Sequence, residues 1–163
     1  MASPGSTQTV EGRLCHAGAM ATTVQITFDC ADPEALCTFW CQALGYRIEE
    51  PPQPFTSWPE ALAAWGVPEQ EWDSRSACSD PEGTGPRFFF QRTDTAKPAK
   101  NRIHLDLRTA VGMSGPDRMA ALQARAEELV AVGATILQRV EPDGFDLGNI
   151  VLADPEGNEF CLD

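Results

Sequence analysis

Of the two histidines in the chain, His16 and His104, only His104 falls in a patterned stretch. In Arg102–Arg108, RIHLDLR, it alternates with apolar residues and shares a face with Asp106. An imidazole beside a carboxylate can carry a proton or ligate a metal. It can equally be a strand histidine that hydrogen-bonds a neighbour. In the final EFCL segment, Glu159 and Cys161 are two residues apart and point to one face. Cys161 would act as a nucleophile only with a base or cation to lower its pKa, and His104 is the evident partner; the other reading is an inert buried thiol. Gln25, in TVQITFDC, and Gln91, directly after Phe88-Phe89-Phe90, are amides in otherwise apolar strands. Turned inward they would orient a polar substituent of a ligand; turned outward they face water.

Aromatic residues form a second group of candidates: Trp40, Phe55, Trp58, Trp65, Trp72 and Phe88–Phe90. Trp58, Trp65 and Trp72 recur at intervals of seven. Such rings can wall a flat apolar ligand or dock an inserted helix onto a sheet. Trp40, Trp58, Trp65 and Phe89 are the candidate ligand contacts. Arg87, Arg92 and Arg102 could hold an anionic group or form a solvated rim. The six cysteines contain no C-x-x-C pair, so neither a zinc ribbon nor a thioredoxin-like motif is indicated. Cys37 and Cys41 share a helical face, which is half a metal site or two buried thiols.

The chain of 163 residues suits one domain, and 42% hydrophobic with 22% charged residues is a globular balance. A formal charge of −12 disfavours nucleic acid and anionic membrane as partners. No apolar run is long enough for a transmembrane helix. Free thiols without a secretory signal point to the cytoplasm. Residues 1–21 are small and polar and read as a disordered leader or tag, so His16 is set aside.

The elements that must position the candidates follow from periodicity. Val24, Ile26 and Phe28 alternate with Gln25, Thr27 and Asp29, which predicts a strand. Asp32-Pro33 opens a helix with Leu36, Phe39, Trp40, Ala43 and Leu44 as its stripe, and Gly45 ends it. A short strand at Tyr46–Glu49 and an inserted helix over 57–66 follow, then strands at Ser74–Ser79 and Arg87–Arg92. Lys97–Asn101 is a polar linker. Beyond it come a strand at Arg102–Arg108, a helix at Asp117–Val132, and strands at Ala134–Val140, Ile150–Ala153 and Glu159–Leu162. The tetrapeptide Asp-Pro-Glu-Gly occurs at 80–83 and 154–157, each time ahead of a Phe-containing strand. That matched placement predicts an internal duplication: module one at 22–96, carrying the insertion, and module two at 101–163.

Asp154-Pro155-Glu156-Gly157-Asn158-Glu159-Phe160, with Pro86–Arg92 and Asn101–Leu107, resembles the glyoxalase/bleomycin-resistance/dioxygenase (vicinal oxygen chelate) superfamily. The resemblance covers roughly 22–163. It implies an α+β fold of two βαβββ modules forming a cupped mixed β-sheet, with a small-molecule cleft between them. It also implies a divalent metal held at four strand positions, here Gln25, Gln91, His104 and Cys161. That set is two amides, an imidazole and a thiol, where a hard cation wants carboxylates. His104 with Glu159, supported by Asp106, is the alternative ligand set. Two functions remain open: a lyase or isomerase using His104 for proton transfer, and a protein that sequesters an aromatic metabolite, as bleomycin-resistance proteins do. A homodimer is the expected assembly.

Overall fold

The computed structural model describes residues 22–144 and 146–163. The predicted leader, with Cys15 and His16, lies outside the described residues. Module one runs β1 (Gln25–Cys30), α1 (Pro33–Leu44), β2 (Arg47–Ile48), α2 (Trp58–Ala64), β3 (Arg75–Ser79) and β4 (Arg87–Arg92). Module two runs β5 (Leu105–Leu107), α3 (Gly115–Ala131), β6 (Thr135–Val140), β7 (Asn149–Ala153) and β8 (Glu159–Leu162). Each module forms one four-stranded sheet, ordered β1-β4-β3-β2 and β5-β8-β7-β6. In both, the first strand pairs parallel to the last and the remaining pairings are antiparallel. The two halves therefore repeat one α+β plan, with the eight strands shared between two sheets.

Local chemistry explains the element ends. The Asp32 carboxylate accepts from the Ala35 N–H at 3.0 Å, Pro33 occupies the first turn of α1, and Gly45 closes it with φ of 71°. Ser57 caps α2 in the same way, accepting from the Glu60 N–H. The strand expected over 102–108 shortens to Leu105–Leu107. Its partner β8 begins only at Glu159, and the Glu159 carboxylate itself accepts from the Asn101 N–H at 3.0 Å. His104 therefore sits just ahead of the strand.

One apolar core joins the modules, running from Leu36, Phe39 and Phe90 to Leu122, Ile150 and Phe160. Trp40, expected to line a ligand cleft, lies in this core at 1% exposure. It packs on Phe28 and Phe160 at 5.3 Å each and on Phe88 at 5.6 Å. The apolar stripe of α1 that was legible in the sequence faces inward, so Trp40 has no surface left for a ligand. Three polar ties cross the same junction. The Trp40 indole N–H donates to Asp154 at 3.2 Å. The Glu156 carboxylate accepts from the N–H groups of Ala31 and Asp32 at 2.7 and 2.8 Å. The Arg125 guanidinium donates to the Gln42 and Ala43 carbonyls at the end of α1. Among the described residues, no helix is long and apolar enough to cross a membrane.

Candidate functional site

Alternation along each strand leaves every sheet with a helix-packed face and an open face. On sheet one, register places Gln25 beside Arg87, Thr27 beside Phe89 and Asp29 beside Gln91 across the open face. The Arg87 guanidinium donates through Nε and Nη2 to both oxygens of Glu49 at 2.7 Å, and through Nη1 to the Gln25 amide oxygen at 2.6 Å. It also stands 5.2 Å from the centroid of the Phe89 ring. The bidentate Arg87 bond, with a further donor in Ser79, holds the Glu49 carboxyl below its usual range against the opposing effect of burial. Gln25 is thus an amide held in place by an ion pair. Gln91 donates to Asp29 at 2.7 Å and is solvent-exposed.

The insertion stands beside this cluster. The Trp58 indole donates to the Glu49 carbonyl at 2.8 Å. Trp65 meets Phe55 at 5.7 Å and Trp58 at 6.3 Å, both edge-on. Trp58 is 38% exposed and Trp65 52%, an unusual cost for indole rings. Glu49 was missed in the sequence because it stands at the end of a two-residue strand, ahead of three prolines. Only β2 pairing with β3 brings it to Arg87, 38 residues away.

On sheet two, His104 Nε2 lies 3.2 Å from the Asp106 carboxylate, and both side chains are about half exposed, at 45% and 51%. Cys161 is paired with Asp106 in the β5–β8 register. One ligand atom from each of His104, Asp106 and Cys161 falls within 4.8 Å of the others. Burial, then the Asp106 charge, pushes the Cys161 thiol up, which works against thiolate chemistry. Glu159, expected beside His104 as a ligand, is spent on the linker. It pairs with Lys97 at 3.1 Å, and the Asn101 N–H is the main influence holding its carboxyl down to about 2. The donors that converge are therefore a nitrogen, an oxygen and a sulfur, with Cys161 beside His104 and Asp106 in place of Glu159. That set is able to grip one divalent ion of borderline softness.

Of the four positions implied by the resemblance, Gln25 and Gln91 stand at opposite ends of the β1–β4 register on sheet one, while His104 and Cys161 belong to module two. Among the described residues, no hydrogen bond joins the Gln25 and Gln91 groups to the His104 and Cys161 group. The cavity at the module junction, about 740 Å³, is lined by Asp29, Thr93, Lys97, Glu156 and Asn158 instead.

Comparison with known proteins agrees with this architecture. The glyoxalase-like domain family matches residues 25–162, and the chain belongs to that family, within the vicinal oxygen chelate superfamily. No curated protein matches the chain in sequence. Among solved structures, a glyoxalase-related enzyme from Fulvimarina pelagi aligns with a TM-score of 0.55 at 13% identity, covering 88% of this chain and 87% of its own. A glyoxalase/bleomycin resistance protein/dioxygenase family enzyme from Burkholderia phytofirmans aligns at 0.54 and 14%, covering 85% and 94%. A mutant of the fosfomycin resistance protein FosX from Listeria monocytogenes, in complex with Mn(II) and 1S,2S-dihydroxypropylphosphonic acid, aligns at 0.57 and 10%, covering 88% and 90%. At such identities the likeness is one of fold.

Proposed function

We propose that this chain acts on a small metabolite bearing a polar group and a flat apolar part, and that His104 moves a proton on it. The observation that carries this reading is the exposed His104–Asp106 pair on an open sheet face. Asp106 fixes the orientation of the imidazole that would take the proton. Gln25, steadied by Arg87, supplies an amide for a ligand oxygen, while Trp58 and Trp65 supply a ring surface. In a second reading, favoured by the convergence of three donor atoms, His104, Asp106 and Cys161 would hold a divalent ion that polarises a ligand oxygen, and His104 would then be a ligand rather than the base. Both faces stand open in the single chain. This supports a homodimer that sets sheet one of one copy against sheet two of its partner.

The sequestering alternative rests on the exposed Trp58 and Trp65, which suit binding without chemistry. Incubation with a small-molecule cell extract, followed by mass spectrometry, separates the two. A compound converted by the wild type, and left unchanged by His104→Asn, supports the enzyme. A compound retained but returned intact by both supports sequestration and overturns the proton-transfer role. Light scattering on the same preparation should give a dimer mass; a monomer would remove the two-copy arrangement.

A further inference from the structure

Three thiols converge away from both open faces. Cys37 and Cys41 lie one turn apart on α1, and Cys78 projects from the helix-packed face of β3. Their sulfur atoms all fall within 4.8 Å of one another, and all three are free thiols. Cys37 and Cys78 are 0% exposed, and Cys41 is half-buried. Interaction with the Cys78 thiol draws the Cys37 thiol down, while burial pushes Cys41 up.

The donor set narrows what could bind. All-sulfur ligation selects thiophilic ions and rejects hard ones. Three sulfurs fall short of the closed tetrahedral set that structural zinc takes. Ser76, the other side chain interacting with Cys37, is a hydroxyl and does not complete such a set for a soft ion. Charge then selects valence. The surroundings are the apolar core, and Glu49 adds a repulsive negative charge nearby. A monovalent or divalent ion on three thiolates would leave net negative charge in that core, at high desolvation cost. A trivalent ion leaves none.

We propose that Cys37, Cys41 and Cys78 form a three-sulfur site for a trivalent thiophilic metalloid, with arsenic(III) as the probe. Arsenous acid, As(OH)₃, would react with the three thiols to give a trithiolate and three waters. Each As–O bond is replaced by an As–S bond, each thiol proton leaves with a hydroxide, and no oxidation state changes. The half-buried Cys41 provides the point of first attack. This site is independent of the role given to His104.

The test is titration of the reduced full chain with sodium arsenite, read by native mass spectrometry and arsenic X-ray absorption. The expected result is one arsenic per chain with three sulfur neighbours, lost in Cys41→Ala and Cys78→Ala and kept in Cys161→Ala. Cys41 is half-buried, so its truncation keeps the test valid if Cys78→Ala does not fold. Absence of binding, fewer than three sulfur neighbours, or binding that survives Cys41→Ala would overturn the assignment.

Discussion

The two Asp-Pro-Glu-Gly turns are identical in sequence and differ in nearly everything around them. Both aspartates organise their own turn: Asp80 accepts from the N–H groups of Glu82, Thr84 and Gly85, and Asp154 from those of Glu156 and Asn158. Asp80 does so half-buried, without an indole donor. Asp154 is 3% exposed and takes the Trp40 indole as a further donor. The glutamates diverge in the same way. Glu156 caps the chain entering α1, whereas among the described residues the Glu82 side chain accepts no hydrogen bond. A local motif thus builds the turn wherever it occurs, and tertiary position decides whether the turn also joins modules.

The largest break in that contrast should come at Trp40. Trp40→Ala removes a buried indole from between the sheets and takes one donor from Asp154, and should cost about 3–5 kcal/mol in urea denaturation. Trp40→Phe keeps most of the ring and loses the donor, so about 1–3 kcal/mol is expected. A loss below that range for both variants would show that the Asp154 turn does not hold the modules together. The glutamates sharpen the comparison further. Glu156→Gln weakens charge-assisted bonds to two backbone N–H groups and should cost about 1–2 kcal/mol. Glu82→Gln should stay within about 0.5 kcal/mol. Equal effects would erase the distinction between the copies.

The smallest effect is one of sign. Donation from the Thr84 hydroxyl and from backbone N–H groups draws Asp80 down to about 2, while burial pushes Asp154 up against its donors. A depressed native pKa adds stability above the unfolded value near 3.8 that is lost as pH falls toward 2. A raised one adds stability in acid that is lost as pH rises through the native value. Urea midpoints followed from about pH 2 to about pH 6 should therefore show opposite trends. The difference between wild type and Asp80→Asn should grow with pH, and that between wild type and Asp154→Asn should shrink. Parallel trends would mean that the two carboxylates share one environment after all.

The open faces repeat the lesson. Gln25 and His104 each stand at the opening of their module's first strand, opposite Arg87 and Glu159 respectively, one residue beyond the Leu105–Phe160 pair in the second case. In module one the opposing arginine locks the amide and Glu49 into an ion-paired cluster. In module two the opposing glutamate turns to the linker and leaves His104 with Asp106. Under the proposed function, positioning would fall to one face and proton chemistry to the other.

The amino-acid sequence by itself determined what depends on near neighbours. Strand and helix periods, the Asp32 and Ser57 caps, the Gly45 stop, the duplicated turn and the shared face of His104 and Asp106 are all set within a few residues. The tertiary structure alone decided which side of each element would meet solvent and which distant side chains would meet each other. Periodicity marks an apolar stripe but does not say what covers it, so Trp40 read equally as cleft or core until sheet two was packed against α1. The same limit hid Arg87 with Glu49, Glu159 with Lys97, and Cys78 beside the Cys37–Cys41 pair. Each of these contacts joins separate elements, and its energy depends on burial that no local pattern encodes.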